Sequence, residues 1–248
     1  MTNAPAPQKT IVFYLMPEFT MIAFTAAIEP LRGANRVLGY EAYKWRLVSK
    51  DGGTVTASNG VEVRADTSID DERKLMLGEK RPSIVFVCGG LNIERYHSKS
   101  LSAWLREEHN RGVKIGGLCT GAHTLGAAGL LNNKRCAIHW ENLPGFQEAF
   151  PQVSVFSDLF EIDGNVYTCA GGTAALDMML KIIGDDGRVE FIIADIAIAS
   201  GDGIWVAGLP PTATIITVGQ GFVPDGAVVN AIPEGDVDTA VASQAEAD

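Results

Sequence analysis

Apolar residues along this chain fall in two arrangements, short unbroken runs and stretches spaced by three and four, and the two predict strands and helices in turn. Residues 9–16, rich in β-branched and aromatic side chains, predict a first buried strand that Pro17 ends. From 19 to 38 the apolar positions Met21, Ile22, Phe24, Ile28, Leu31 and Val37 follow a helical period, and Pro30 within it is expected to kink or restart the helix. Trp45, Leu47 and Val48 predict a second strand, and 54–57 with 61–64 predict a hairpin about Ser58-Asn59-Gly60. A short polar helix is expected over 68–77, and residues 83–88 form the clearest parallel-strand run. Leu101, Trp104 and Leu105 mark a helix to about Arg111, Val113, Ile115 and Leu118 a strand, and from Thr120 onward Ala, Leu and Gly recur at helical spacing. Residues 135–139 and 153–156 read as strands around a short helix at 143–150. Residues 159–162 and 166–169 flank Asp163-Gly164-Asn165 as a hairpin, and a helix follows over 174–183 with Thr173 as candidate N-cap. Strand-helix-strand order predicts an α/β chain with a doubly wound parallel sheet, whose ligands bind beyond the carboxyl ends of the strands.

Composition narrows this picture. The chain has 248 residues, enough for one α/β domain of roughly 180 to 200 residues with an appendage, or for two small domains. No apolar run approaches the roughly 20 residues of a membrane span, so no membrane partner is expected. The first ten residues lack the basic region and apolar run of a secretory signal. Cys88, Cys119, Cys136 and Cys169 show neither a CxxC pair nor zinc spacing, so a cytoplasmic location with no metal and no cofactor is expected. Residues 1–188 hold all 20 lysines and arginines against 21 acids, whereas 189–248 hold nine acids and no base. Without a basic patch to neutralise phosphates, the polypeptide by itself is expected to bind no DNA.

The candidate chemistry gathers on one turn. Strand 113–118 passes through Cys119 into a helix, with Gly116, Gly117, Gly121 and Ala122 as the small flanks that a nucleophile elbow needs. Cys119 then lies near a helix N-terminus, which favours thiolate; the alternative is a small buried hydrophobe. Gly89 and Gly90 follow the 83–88 strand and form either a plain tight turn or a cradle of open amides for an oxyanion or carboxylate. Glu29, beside Pro30, is either a cap at a kink or a carboxylate aimed at Cys119. His139 ends an apolar strand, where an imidazole is either a core group bonded to backbone or the thiol's partner. His97 and His109 stand in charged, solvated surroundings, and His123 lies on the elbow helix.

Four ordered segments carry a resemblance. Glu29-Pro30-Leu31-Arg32-Gly33-Ala34-Asn35, Gly117-Leu118-Cys119-Thr120-Gly121-Ala122, Ile138-His139-Trp140-Glu141-Asn142 and the run from Cys169-Ala170-Gly171-Gly172 to Leu180 resemble the sensor domain of AraC-type transcription regulators of the GlxA group. That domain has the PfpI-like, class I glutamine amidotransferase-like fold, a flavodoxin-like sandwich with a cysteine elbow. The similarity spans about residues 9 to 184, and the subgroup it is most similar to regulates carnitine, glycine betaine or arginine catabolism. The resemblance implies a ligand-sensing domain over 9–190 and a homodimer. It also implies a crevice in which Glu29, Gly89, Gly90, Cys119, Thr120, His139 and Trp140 bind a small amino-acid or quaternary-amine effector, with Trp140 as a cation–π face. If the chain is instead an enzyme of the superfamily, it is a cysteine-dependent hydrolase or hydratase with Cys119, Glu29 and His139 as catalytic groups.

Family members continue into a basic helix-turn-helix region. Residues 191–248, acidic and rich in Gly, Ala, Val and Pro, do not resemble one. A frameshift, or a sensor free of its DNA-binding domain, is the expectation for this tail, and DNA would be met only through a domain not recognisable here.

Overall fold

The strand run at the start of the chain is buried because it lies at the centre of a sheet. In the computed structural model, which describes residues 8–75, 78 and 80–184 and the backbone of 195–200 and 203–207, it forms β1 (Lys9–Leu15). There follow α1 (Met21–Leu38), β2 (Tyr43–Ser49), β3 (Thr54–Thr56), β4 (Glu62–Arg64), β5 (Thr67–Ser68), α2 (Ile69–Leu75), β6 (Ile84–Cys88), α3 (Ile93–Tyr96), α4 (Lys99–Asn110), β7 (Lys114–Leu118) and α5 (Gly121–Ala127). Then come β8 (Arg135–Ala137), a 3₁₀ turn (Trp140–Asn142), α6 (Leu143–Ala149), β9 (Ser154–Phe156), β10 (Phe160–Asp163), β11 (Val166–Cys169), α7 (Ala174–Gly184), β12 (Asp195–Ser200) and β13 (Gly203–Ala207).

Seven strands make the main sheet in the order β10-β11-β7-β6-β1-β2-β5, all parallel except the edge strand β10. From β1 the chain moves outward to β2 and β5, then returns to β6 on the other side of β1. The reversal falls at β1, so the carboxyl ends of β1 and its neighbours form the crevice where doubly wound sheets take ligands.

Successive residues of each strand point to opposite faces, and both faces are covered. Ile11, Phe13, Leu15, Phe86 and Leu118 pack with Ala23, Phe24, Ala27 and Leu31 of α1 and Met178, Met179 and Ile182 of α7. Val12, Tyr14, Val85, Val87 and Ile115 pack with Leu101, Trp104 and Leu105 of α4 and Ala122 and Leu125 of α5.

Three expectations are corrected. The helix over 21–38 neither stops nor restarts at Pro30, because the ring is itself part of the buried face (Ala23, Phe24, Ala27, Pro30, Leu31, Ala34) and packing offsets the one lost amide. Strands 135–137 and 154–156 exist but pair with each other in a separate two-stranded ribbon. An apolar run predicts a strand and cannot say which sheet it joins. His97 is half-buried, with a hydrogen-bonding contact of 3.2 Å between its Nε2 and the Ser102 hydroxyl. Most of the acidic tail, 191–248, lies outside the described residues; within it the backbone of β12 and β13 pairs antiparallel.

Candidate functional site

The elbow forms because the ends of β6 and β7 touch backbone to backbone. A Cβ on Gly121 would run into the Val87 carbonyl, and one on Gly89 into the Gly121 amide, so only glycine fits at either place. The chain turns there with Cys119 at φ 57°, a left-handed conformation rare for a residue with a side chain. Gly171, at φ 93°, closes the other side: a Cβ on it would lie 2.8 Å from Cys119 Cβ and 3.0 Å from Sγ.

Cys119 is therefore covered, with 4% of its surface exposed. The Thr20 hydroxyl donates to its sulfur at 3.5 Å. Burial raises the Cys119 thiol above the ordinary value; hydrogen bonds from Thr20 and the Thr120 amide oppose this, and the charge of Glu141 adds to it. The expected thiolate is thus overturned. A helix N-terminus is worth about 0.3–1 kcal/mol, and α5 has only seven residues, so its dipole does not outweigh desolvation. The neighbouring thiols behave alike: burial pushes Cys169 up to about 11 and Cys88 upward too. Iodoacetamide at pH 7.5 is accordingly expected to label Cys119 about tenfold or more slowly than free cysteine, as followed by mass spectrometry, and labelling at the free rate would contradict the buried thiol.

The other candidate residues are not all brought to the sulfur. Glu29 sits nine residues along α1 from Thr20, about 13 Å at 1.5 Å per residue, on the side opposite the buried face. Its carboxylate is exposed and pairs with Arg32 at 2.7 Å. Neither the cap at a kink nor the carboxylate against Cys119 is formed. His139 precedes the 3₁₀ turn with Nδ1 3.8 Å from Glu141 Oε2 and its ring 5.8 Å from that of Trp140, and no hydrogen bond joins it to Cys119. Trp140 is 72% exposed. Thr120 donates its hydroxyl to the Gly90 carbonyl at 2.7 Å, tying the two loops together. The Gly89 amide is already spent on the Leu118 carbonyl (3.2 Å), and Gly90 lies against the Glu18 carbonyl, so close approach explains the glycine pair and no open oxyanion cradle is built at Gly89.

Two groups that do approach the sulfur, Thr20 and Gly171, and a third whose charge acts on it, Glu141, were absent from the candidates. The signal for Thr20 was its place just before the first helix, and the other two stood inside the quoted motifs. Beside the elbow, at the carboxyl ends of β1 and β2, a cavity of about 750 Å³ opens between the β3–β4 hairpin and the α3–α4 connection, and Cys119 does not line it. Among the described residues no helix is long and apolar enough to cross a membrane.

Comparison with known proteins agrees with the four-motif resemblance. The model of the DJ-1/PfpI family matches residues 9–185. The HTH-type transcriptional regulator CdhR of Pseudomonas aeruginosa is 43% identical over 171 residues, covering 69% of this chain and 48% of that protein. GbdR of the same organism, also an HTH-type transcriptional regulator, is 40% identical over 181 residues, covering 73% and 47%. The chain thus spans about half the length of these curated relatives. The crystal structure of an AraC family transcriptional regulator from Pseudomonas putida superposes with a TM-score of 0.64 at 29% identity, over 71% of this chain and 91% of that one.

Proposed function

This chain belongs to the DJ-1/PfpI family, and from that premise we propose that it is the effector-sensing domain of an AraC-type transcription regulator, responding to a small amino-acid or quaternary-amine metabolite. The observation that carries the choice of receptor over enzyme is the state of Cys119. A cysteine hydrolase or hydratase needs a thiolate with a base in reach. Here the thiol is covered and held protonated, Glu29 points away, and His139 makes no bond to it. A covered thiol bonded to a threonine serves as packing at the end of the sheet. In this reading the domain pairs as a homodimer, and DNA is contacted through a different domain.

Thermal unfolding against carnitine, glycine betaine, choline and arginine tests the proposal. A ligand at 100 times its dissociation constant stabilises by about 2.7 kcal/mol, which for a domain of this size raises the midpoint by about 5–10 °C. The expected result is such a shift with at least one compound, recovered chemically unchanged. No shift with any of them sinks the receptor reading, and conversion of a compound, lost in Cys119→Ala, would establish the enzyme instead.

A further inference from the structure

The carboxyl end of the sheet offers two places for a small molecule, the elbow and the cavity beside it, and the cavity is the one lined by charged side chains of both signs. Tyr14, next to last in β1, forms part of its wall. The residue is 3% exposed, yet its hydroxyl has no hydrogen-bond partner among the described residues. The hydroxyl is not sealed from the cavity, so it is a donor on the wall that a guest can use. Burial, and then the charge of Asp51, raise the phenol, so it stays a donor.

Two carboxylates line the same space. Asp51 uses Oδ1 to accept from the Ser49 hydroxyl (3.3 Å) and the Gly53 amide (3.0 Å), and its Oδ2 carries no hydrogen bond among the described residues. The Gly53 amide, above all, holds this carboxyl below the usual range, so it is ionised at neutral pH. Glu18 sits at φ 60°, a left-handed conformation uncommon for a residue with a side chain. It is held there by its amide on the Thr56 carbonyl (2.8 Å) and by the Leu91 amide on its own carbonyl (3.1 Å). One carboxylate oxygen accepts from Asn92 at 2.8 Å, and the other has no hydrogen-bond partner among the described residues. Facing these are two cations, Lys50 and Arg95, whose side chains make no hydrogen bond or ion pair among the described residues.

These two anions and two cations form no ion pair with each other among the described residues, although the Lys50 charge does act on Asp51, and they sum to zero, so a guest carrying one charge would leave the opposite pair uncompensated. We infer that this cavity, and not the elbow, is the effector site, and that it takes a small zwitterion with its cationic nitrogen at Asp51 and Glu18 and its carboxylate at Arg95. The volume falls within the roughly 300–1,000 Å³ of small-molecule sites. The inference rests on the sensor reading above only in naming the guest an effector.

Isothermal titration calorimetry on the full chain tests it with three zwitterions, glycine betaine, carnitine and arginine, and two analogues that each lack one charge, choline and 3,3-dimethylbutyrate. At least one zwitterion is expected to bind, and both analogues at least tenfold more weakly than it. Asp51→Asn and Arg95→Gln are each expected to weaken that zwitterion tenfold or more, and Tyr14→Phe a few-fold. Asp51 and Arg95 are exposed, and circular dichroism checks that their variants fold. Binding that survives both charge variants but is lost in Cys119→Ser overturns the cavity and leaves the sensor reading standing. Choline or 3,3-dimethylbutyrate binding as tightly as the zwitterion overturns the ligand class. A wild-type chain that binds no zwitterion overturns the inference outright, whatever other compound shifts its melting.

Discussion

Replacing Glu72 by alanine is expected to destabilise the fold by about 3–5 kcal/mol, because it strands a partly buried guanidinium. Glu72 has no exposed surface, and Arg46 of β2 grips it with both ends of its fork, Nε to Oε1 at 2.8 Å and Nη2 to Oε2 at 2.7 Å. Arg46 is itself only 20% exposed on its side chain, so water cannot fully replace the lost carboxylate. The pair joins α2 to β2, and the residues just past β2 carry Asp51 into the cavity. A replacement that removes both charges, Arg46→Met with Glu72→Leu, is expected to recover most of the loss, since a buried pair gains little over well-packed apolar side chains. Urea unfolding of the three variants decides this, and a loss below about 1 kcal/mol for Glu72→Ala would place the pair among ordinary surface bridges.

This pair marks where the sequence stops being readable. Asp70-Asp71-Glu72 is an acidic run, which pattern alone assigns to a solvated helix face, and α2 does form there. That its third acid is fully buried depends on an arginine 26 positions earlier, and no local spacing carries that information. The same limit governs the site. The strands were legible because both faces of the sheet are covered, so β1, β6 and β7 are unbroken apolar runs. The elbow was legible because its glycines are demanded by backbone contact. The charge state of Cys119 was misread because helix and strand order reveal a dipole but not the depth of burial that outweighs it. Glu29 was misread through its neighbour: Pro30 suggested a kink or a restart, whereas the helix is continuous through it and turns Glu29 outward. Thr20 reaches Cys119 across 99 positions, and the cavity is walled by the ends of β1 and β2, the β3–β4 hairpin and the segment after α3. Such a site is assembled by topology, and its residues share no motif.

Trp104→Ala is expected to cost about 3–5 kcal/mol, a fall in midpoint on the order of 10 °C. Trp104 is fully buried at the centre of α4, its ring 6.0 Å from that of Tyr14 and its Nε1–H donating to Glu108 Oε1 at 3.1 Å. Truncation thus opens a large void, leaves a buried carboxylate without its donor and removes support from the phenol that walls the cavity. Glu108 adds a pH signature. Its Oε2 has no hydrogen-bond partner among the described residues, and burial raises its carboxyl above the ordinary value of 4.5 despite the Trp104 bond, which lowers it. A carboxyl whose folded pKa exceeds the unfolded one binds its proton more tightly when folded, so this contribution is complete below about 4.5 and is lost as pH rises through the higher folded value. Glu108→Gln, which keeps an acceptor for Trp104, is expected to flatten that decline and to equal or exceed wild-type stability at pH 8. Trp104→Phe keeps most of the ring but removes the donor, so the folded pKa rises further and the decline steepens. Urea midpoints at pH 5 and pH 8 for these variants measure both effects together. A Glu108→Gln protein that loses stability at pH 8 would mean that the charged form of Glu108 is satisfied in the folded state, and the steepening in Trp104→Phe should then vanish as well.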